Sequence, residues 1–198
     1  MKALIISIRP EHALNILKGD KKLELRKSVP KGFVGWVYGY VTKGGVIIYN
    51  GEKIYQGHGD YSETSYTLNA TIPFRFWFDE YTKLEWLDPS LNIKRNDVNY
   101  YNYYLDVFGK YYSVEYLLDN LCLTKQQVID YGKERDLYAW HINKLEVFDK
   151  PMELGEFQNY MPKSNDIPEA LITSSWQILH QPLTKAPQSW QYVYVKGE

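Results

Sequence analysis

The sequence predicts an α+β domain built around a small β-barrel. Three observations carry this. Short β-rich runs recur along the 198 residues, most of them bounded by Gly, Pro or Asn turns. Segments with helical spacing are few. Near the N-terminus, an apolar helical stretch at residues 13–17 leads through Gly19 into Leu23-Glu24-Leu25-Arg26, where apolar and ionic residues alternate with the period of two of a half-buried strand.

Composition bounds the class. Apolar residues are 44% and charged residues 24%, ordinary for a soluble domain with a sizeable core. The net charge of −1 excludes a nucleic-acid coat held on by bulk charge. The charge is uneven, however: residues 1–31 carry eight Lys or Arg against three acids, so a local basic patch is expected. Cys122 is the single cysteine, which excludes an internal disulfide, and its leucine neighbours predict a buried, inert thiol. The apolar run at residues 1–8 is too short for a signal peptide, and no stretch approaches the ~18 apolar residues of a membrane span. The expectation is a cytoplasmic protein with no membrane partner.

In chain order, residues 3–8 predict the first strand. Pro10 suits the first position of a helix that Gly19 stops. Arg9 precedes that helix and cannot cap it, so its first N–H groups are left to Ser7, to water or to a bound anion. Residues 22–27 predict a strand with Lys22, Glu24 and Arg26 on one face. Residues 33–42 predict another, with Val34, Trp36, Tyr38 and Tyr40 together. Asn50-Gly51 is a hairpin signal that pairs 46–49 with 53–56. Residues 67–86 read as one or two β-segments. Residues 92–121 are Tyr-dense, with Tyr100, Tyr104, Phe108 and Leu118 at helical spacing. They read as an aromatic face packed on the barrel or as a base-stacking surface. Thr124-Lys125-Gln126-Gln127 is a capping-box pattern opening a short helix to Gly132. Residues 137–148 predict one strand, ended by Asp149-Lys150-Pro151. Residues 170–179 fit a strand or a helix, and 190–195 predict the closing strand.

No phosphate loop, dinucleotide fingerprint or nucleophile elbow is present. His12, His58, His141 and His180 are scattered, so neither a metal nor a cofactor is expected. His141 reads as a hydrogen-bonded, partly buried histidine or as a catalyst.

The run Ser7-Ile8-Arg9-Pro10-Glu11-His12-Ala13, followed by residues 16–27, resembles the opening of ASCH-domain proteins in the PUA-like superfamily. Their signature Gly-x-Lys-x-x-Glu-x-Arg is met by Gly19, Lys21, Glu24 and Arg26. Leu137-Tyr138-Ala139-Trp140-His141-Ile142 with Asp149-Lys150-Pro151 is similar to a core strand and turn of the phage and prophage members. Pro187-Gln188-Ser189-Trp190-Gln191-Tyr192-Val193 is similar to their closing strand. The resemblance implies a PUA-like barrel over residues 1–198 as a single domain, with additions at about 46–66 (hairpin and loop) and 88–120 (helical). It implies binding of RNA or a modified nucleobase in a cleft between the first helix and the adjoining strands. Some family members are amidohydrolases on acetylcytidine that use a Lys, a Thr and a Glu. Lys21 matches the Lys, Glu24 stands at the Thr position, and Asp119 falls near the acid. Ribonuclease activity is also attached to the family.

Three functions follow. In a nucleic-acid-binding module, Arg9, Lys21, Lys22 and Arg26 contact phosphate, Glu24 accepts from a base or orients Arg26, and Trp36, Trp140 or Trp190 stacks. Ser7, His141 and Ser189 complete the candidate site. The alternatives are a hydrolase or ribonuclease with Lys21 and Glu24 as catalysts, and a phage-type module that binds a host protein through residues 96–120. Against all three stands a plain solvated ladder of Lys22, Glu24 and Arg26, worth under about 1 kcal/mol per pair.

Overall fold

Leu4, Ile5 and Ile6 are successive residues and all fully buried, so the first strand is apolar on both faces and lies inside a sheet. A computed structural model of the chain describes residues 1–44, 47–49, 54–56, 66–86, 103–106, 113–160 and 181–195. The strands are β1 (Lys2–Ile8), β2 (Leu23–Arg26), β3 (Gly35–Val41), β4 (Ile47–Tyr49), β5 (Ile54–Gln56), β6 (Tyr66–Thr67), β7 (Ile72–Phe78), β8 (Tyr81–Trp86), β9 (Tyr103–Asp106), β10 (Leu137–His141), β11 (Asn143–Met152), β12 (Phe157–Asn159) and β13 (Trp190–Val195). The helices are α1 (Pro10–Leu17), α2 (Val114–Leu121) and α3 (Lys125–Gly132). The chain divides into two units: residues 1–18, 35–77 and 144–198, and residues 19–34 and 78–143.

The first unit holds a six-stranded sheet in the order β11-β7-β3-β1-β13-β12. β1 runs parallel to β3, with Ile5 opposite Tyr38, and antiparallel to β13, with Ala3 opposite Val193. Parallel neighbours need a crossover, and α1 begins it. Arg9 opens α1 in extended geometry, its carbonyl accepting from the N–H groups of His12 and Ala13, each at 3.0 Å, with Pro10 in the first turn. The core joins Ala3, Ile5, Tyr38, Ile72, Phe157 and Val193. Gly39 is required for packing: a Cβ there would enter the ring of Phe74, itself fully buried and unable to yield. Arg75 lies 4.2 Å from the Trp36 ring centroid, donates to the Tyr38 hydroxyl at 2.8 Å and pairs with Glu146 at 2.7 Å. β4 pairs with β5, Ile48 opposite Tyr55, as the hairpin signal predicted.

The second unit holds the sheet β2-β10-β8-β9. α2 and α3 cover one face of it, packing Leu117, Leu121 and Val128 onto Leu23, Leu25, Leu84, Leu137 and Ala139. Each helix is capped by its own sequence. Ser113 Oγ accepts from Tyr116 N at 3.1 Å, and Thr124 and Gln127 form the reciprocal capping box. Asp136 fastens β8 to the start of β10: its carboxylate accepts from Trp86 N at 3.1 Å and pairs with Lys83 at 3.0 Å.

Five expectations are corrected. The strands among the described residues form three sheets, none closed on itself, so the α+β class holds without a closed barrel. The reason lies in β2. Its leucines are buried under α2 and α3, which commits it to β10 rather than to the sheet of β1 and β3. Residues 137–148 are two strands, not one, because Ile142 N bonds Lys22 O and the chain then leaves the β2–β10–β8 sheet. β11 runs through Pro151 to Met152, which an edge strand tolerates. Residues 103–106, expected within a helix, form the edge strand β9 paired with β8; Tyr-Tyr-Leu suits a strand at least as well as a helix. Cys122 is not buried: it is the half-exposed left-handed C-cap of α2. Its thiol is still pushed up in pKa, by partial burial first and by Asp20 and Asp119 next, against the opposing pull of Lys21. The remainder of 46–66 and of 88–112, and all of 161–180, lie outside the described residues.

Two outcomes are expected. Gly39→Ala should lower stability by about 1–3 kcal/mol from overpacking, read as a fall in urea midpoint at unchanged slope. Partial burial raises the Asp136 pKa, but the Lys83 and Trp86 hydrogen bonds outweigh it and hold the carboxyl below the usual range. A lowered folded-state pKa contributes stability above the unfolded carboxylate pKa, and that contribution disappears as pH falls through the lowered value. Asp136→Asn should therefore unfold at lower urea in neutral solution, with the gap to the parent protein closing in strong acid.

Candidate functional site

β2 was expected to show an apolar and an ionic face, and instead all four of its residues are buried. Gly19, at φ +77°, turns the chain after α1, and Lys21 then points inward at 2% exposure. Its Nζ donates to the Leu121 carbonyl at 2.6 Å and lies 3.5 Å from Glu24 Oε2. The other Glu24 oxygen, Oε1, is 2.8 Å from Arg26 Nη2. Glu24 and Arg26 are each 5% exposed. Three ionisable groups are thus closed into one buried cluster, and Lys21 supplies a cation to the last carbonyl of α2. Trp140, opposite Glu24 in the β10–β2 ladder, is fully buried. Its indole N–H donates to Ser28 O at 3.2 Å and its ring meets Phe78 at 4.8 Å, so Trp140 is core and not a base-stacking surface.

Beside this cluster the second unit opens a pocket of about 230 Å³. Leu23 and Leu117 form its apolar floor, and its polar wall comes from Lys22, Thr82, Tyr116, Asn120, His141 and Asn143. Backbone hydrogen bonds place these residues: Lys22 N donates to Asn120 O at 2.9 Å, and Ile142 N to Lys22 O at 2.9 Å. α2, β2 and the end of β10 therefore meet at Lys22. Its side chain is exposed, so consecutive lysines have opposite roles, Lys21 in the buried cluster and Lys22 at the pocket. The His141 ring, 18% exposed, has Nε2 at 2.9 Å from Thr82 Oγ1 and Nδ1 at 3.6 Å from Glu80 Oε2. That is the hydrogen-bonded, partly buried histidine of the sequence reading. Tyr116 is 49% exposed. Asn120 Nδ2 donates to Tyr116 O at 2.7 Å, and Asn143 Nδ2 to Asp79 Oδ1 at 2.7 Å.

The other sequence candidates stand in the first unit. Ser7 donates its hydroxyl to Pro187 O at 2.5 Å, and its N–H bonds Ser189 O at 3.0 Å. Trp36 packs edge-on against Trp77 at 5.3 Å beneath Arg75. Trp190 meets Tyr192 at 5.8 Å, and Arg9 is exposed. Sequence reasoning missed Thr82, Tyr116, Asn120 and Asn143. No motif marks them; pairing of β10 with β8 and docking of α2 on β2 bring them together. Among the described residues no group of three or more His, Cys, Asp or Glu could hold a metal ion, and no helix is long and apolar enough to cross a membrane.

Removing one member of a buried ion cluster strands the others. Glu24→Ala and Lys21→Ala should each cost about 3–5 kcal/mol, while Lys22→Ala should leave the thermal midpoint nearly unchanged. Joint replacement of Lys21, Glu24 and Arg26 by Met, Leu and Met should recover most of the loss. Equal melting of Lys21→Ala and Lys22→Ala would contradict the cluster.

No family model matches the chain, and no curated protein matches it. Among solved structures, the chain is similar to the crystal structure of ASCH from Zymomonas mobilis, at 14% identity over 97% of this chain and 87% of that one, with a TM-score of 0.50. Two single-residue variants of the same Zymomonas mobilis protein align at 13% and 14% identity, over 97% and 98% of this chain and 88% and 91% of theirs, with TM-scores of 0.48 and 0.47. What this chain shares with the first of these is the fold: it is folded as an ASCH domain.

Proposed function

We propose that this chain is an ASCH-domain protein of the PUA-like superfamily that binds RNA or a modified nucleobase, and that it does so at the pocket of the second unit. The pocket itself is the observation that supports this. It has room for a planar base, an exposed cation in Lys22, a half-exposed aromatic ring in Tyr116 and amide groups from Asn120 and Asn143. A cation for phosphate, a ring for stacking and amides for base edges are what recognition of an unpaired nucleotide needs. The ASCH fold is compatible with the same role. Lys21, Glu24 and Arg26 act behind the pocket rather than in it. At 2–5% exposure they are engaged with one another and with the Leu121 carbonyl. Binding is therefore favoured over the hydrolase reading.

The test is a salt titration of fluorescence anisotropy with labelled single-stranded RNA. Binding should weaken linearly in log–log form as salt rises. Lys22→Ala should reduce the slope by about one counterion and weaken binding on all sequences alike. Tyr116→Ala should cost about 1–3 kcal/mol if its ring stacks on a base. Absence of RNA binding at low salt, or an unaltered slope in Lys22→Ala, would sink the reading.

A further inference from the structure

His141 lines the pocket with Lys22, yet RNA recognition as described so far gives it no part. Its ring has Nδ1 at 3.6 Å from Glu80 Oε2 and Nε2 at 2.9 Å from Thr82 Oγ1. A carboxylate beside Nδ1 favours a proton there. In the neutral ring Nε2 then accepts from the Thr82 hydroxyl; in the charged ring Nε2 donates to the same oxygen, and the hydroxyl turns round. The ring can thus change charge without changing place. Other charges approach it from the elements packed beside it. Lys22, just before β2, and Tyr116, on α2, share the pocket wall, and Asp79, next to Glu80, accepts from Asn143. Leu23, opposite His141 in the β10–β2 ladder, is neutral. The Glu80 and Asp79 carboxylates favour the imidazolium, and the exposed Lys22 ammonium opposes it through solvent.

We infer that His141 is a second, pH-dependent cation of the pocket: once protonated it joins Lys22 in attracting the phosphate of a bound RNA strand, so binding tightens as pH falls. Imidazole is the side chain that ordinarily changes charge between about pH 5 and 8. A charge in the wall of a pocket of about 230 Å³ lies within a Debye length of whatever is seated there. It acts on a phosphate through space, so the effect depends on the charge of the ring and not on which of its atoms faces the cavity. Glu80 offsets part of the field at every pH in this range, but protonation still adds one positive unit. The inference rests on the nucleic-acid reading above and deepens it, by adding to the site a residue that reading leaves out.

The experiment measures anisotropy of labelled single-stranded RNA at fixed low ionic strength, from about pH 8 down to about pH 5.5. Affinity should rise about tenfold toward acid. His141→Gln keeps a hydrogen-bonding side chain but no titrating ring; it should bind like the parent protein at the alkaline end and lose the rise. Lys22→Ala should bind more weakly throughout and keep the rise. A second measurement needs no variant to fold. The titration of the His141 ring, followed by NMR in the parent protein, should move up by about one pH unit when RNA saturates the site, because a tenfold coupling is reciprocal. A flat pH profile, a rise unchanged in His141→Gln, or a ring titration unmoved by bound RNA overturns the inference and leaves the RNA-binding reading standing. Failure of the RNA to bind at any pH overturns both.

Discussion

One buried ammonium ties the end of α2 to the strand beside it in the second unit. Lys21 Nζ lies between the last carbonyl of α2 and the Glu24 carboxylate, and Glu24 in turn holds Arg26. Burying three ionisable groups is expensive, and attraction repays the desolvation only with good geometry and satisfied hydrogen bonds. Such a cluster adds little net stability compared with apolar packing. What it adds is specification. The ammonium is satisfied only where a helix ends against β2, which sets where α2 stops along that strand. The left-handed C-cap at Cys122 and the backbone bond from Lys22 N to Asn120 O then turn the chain away at the same place.

The pocket is a consequence of that registration. α2 brings Tyr116 and Asn120, the residue just before β2 is Lys22, and the end of β10 brings His141 with Asn143 just beyond. None of these side chains is in the buried cluster, yet the backbone bonds that place them run through the residue next to it. A charged sequence motif can thus matter to a binding site without touching the ligand. The motif orders the framework, and neighbours with ordinary side chains face the solvent.

The first unit is held by different means. Its central strand is apolar on both faces, and the residues beside it are matched in size. Gly39 admits the Phe74 ring, and Tyr38 directs its hydroxyl to Arg75, whose guanidinium lies over Trp36 and pairs with Glu146. Burial of apolar area drives this sheet, and the Arg75, Lys2 and Lys144 cations lie over aromatic rings rather than being sealed in an ionic cluster.

Much of this was legible locally. Pro10 and Gly19 bracket α1, Thr124 with Gln127 opens α3, the strands expected to pair as a hairpin, β4 and β5, do pair, and alternation marks β13. Each of these is a short-range matter of dihedral preference, capping or period-two patterning, which a sequence carries within a few residues. The ASCH-like opening was legible too, and the fold agrees with it. Strand pairing was not: period-two alternation marks a strand without naming its partner, so β2 was assigned to a barrel and residues 137–148 to one strand. Nor was the burial of Glu24 and Arg26, since alternation shows two faces and cannot show that both are covered. The sequence by itself determined the α+β class, the ends of α1 and α3 and the charged run at residues 18–27. Only the tertiary structure decided that Lys21 is sealed and Lys22 exposed, and that Asn120, His141 and Asn143 share a pocket. The physical reason is that burial and side-chain convergence depend on which distant strand and helix pack together, and no local pattern encodes that.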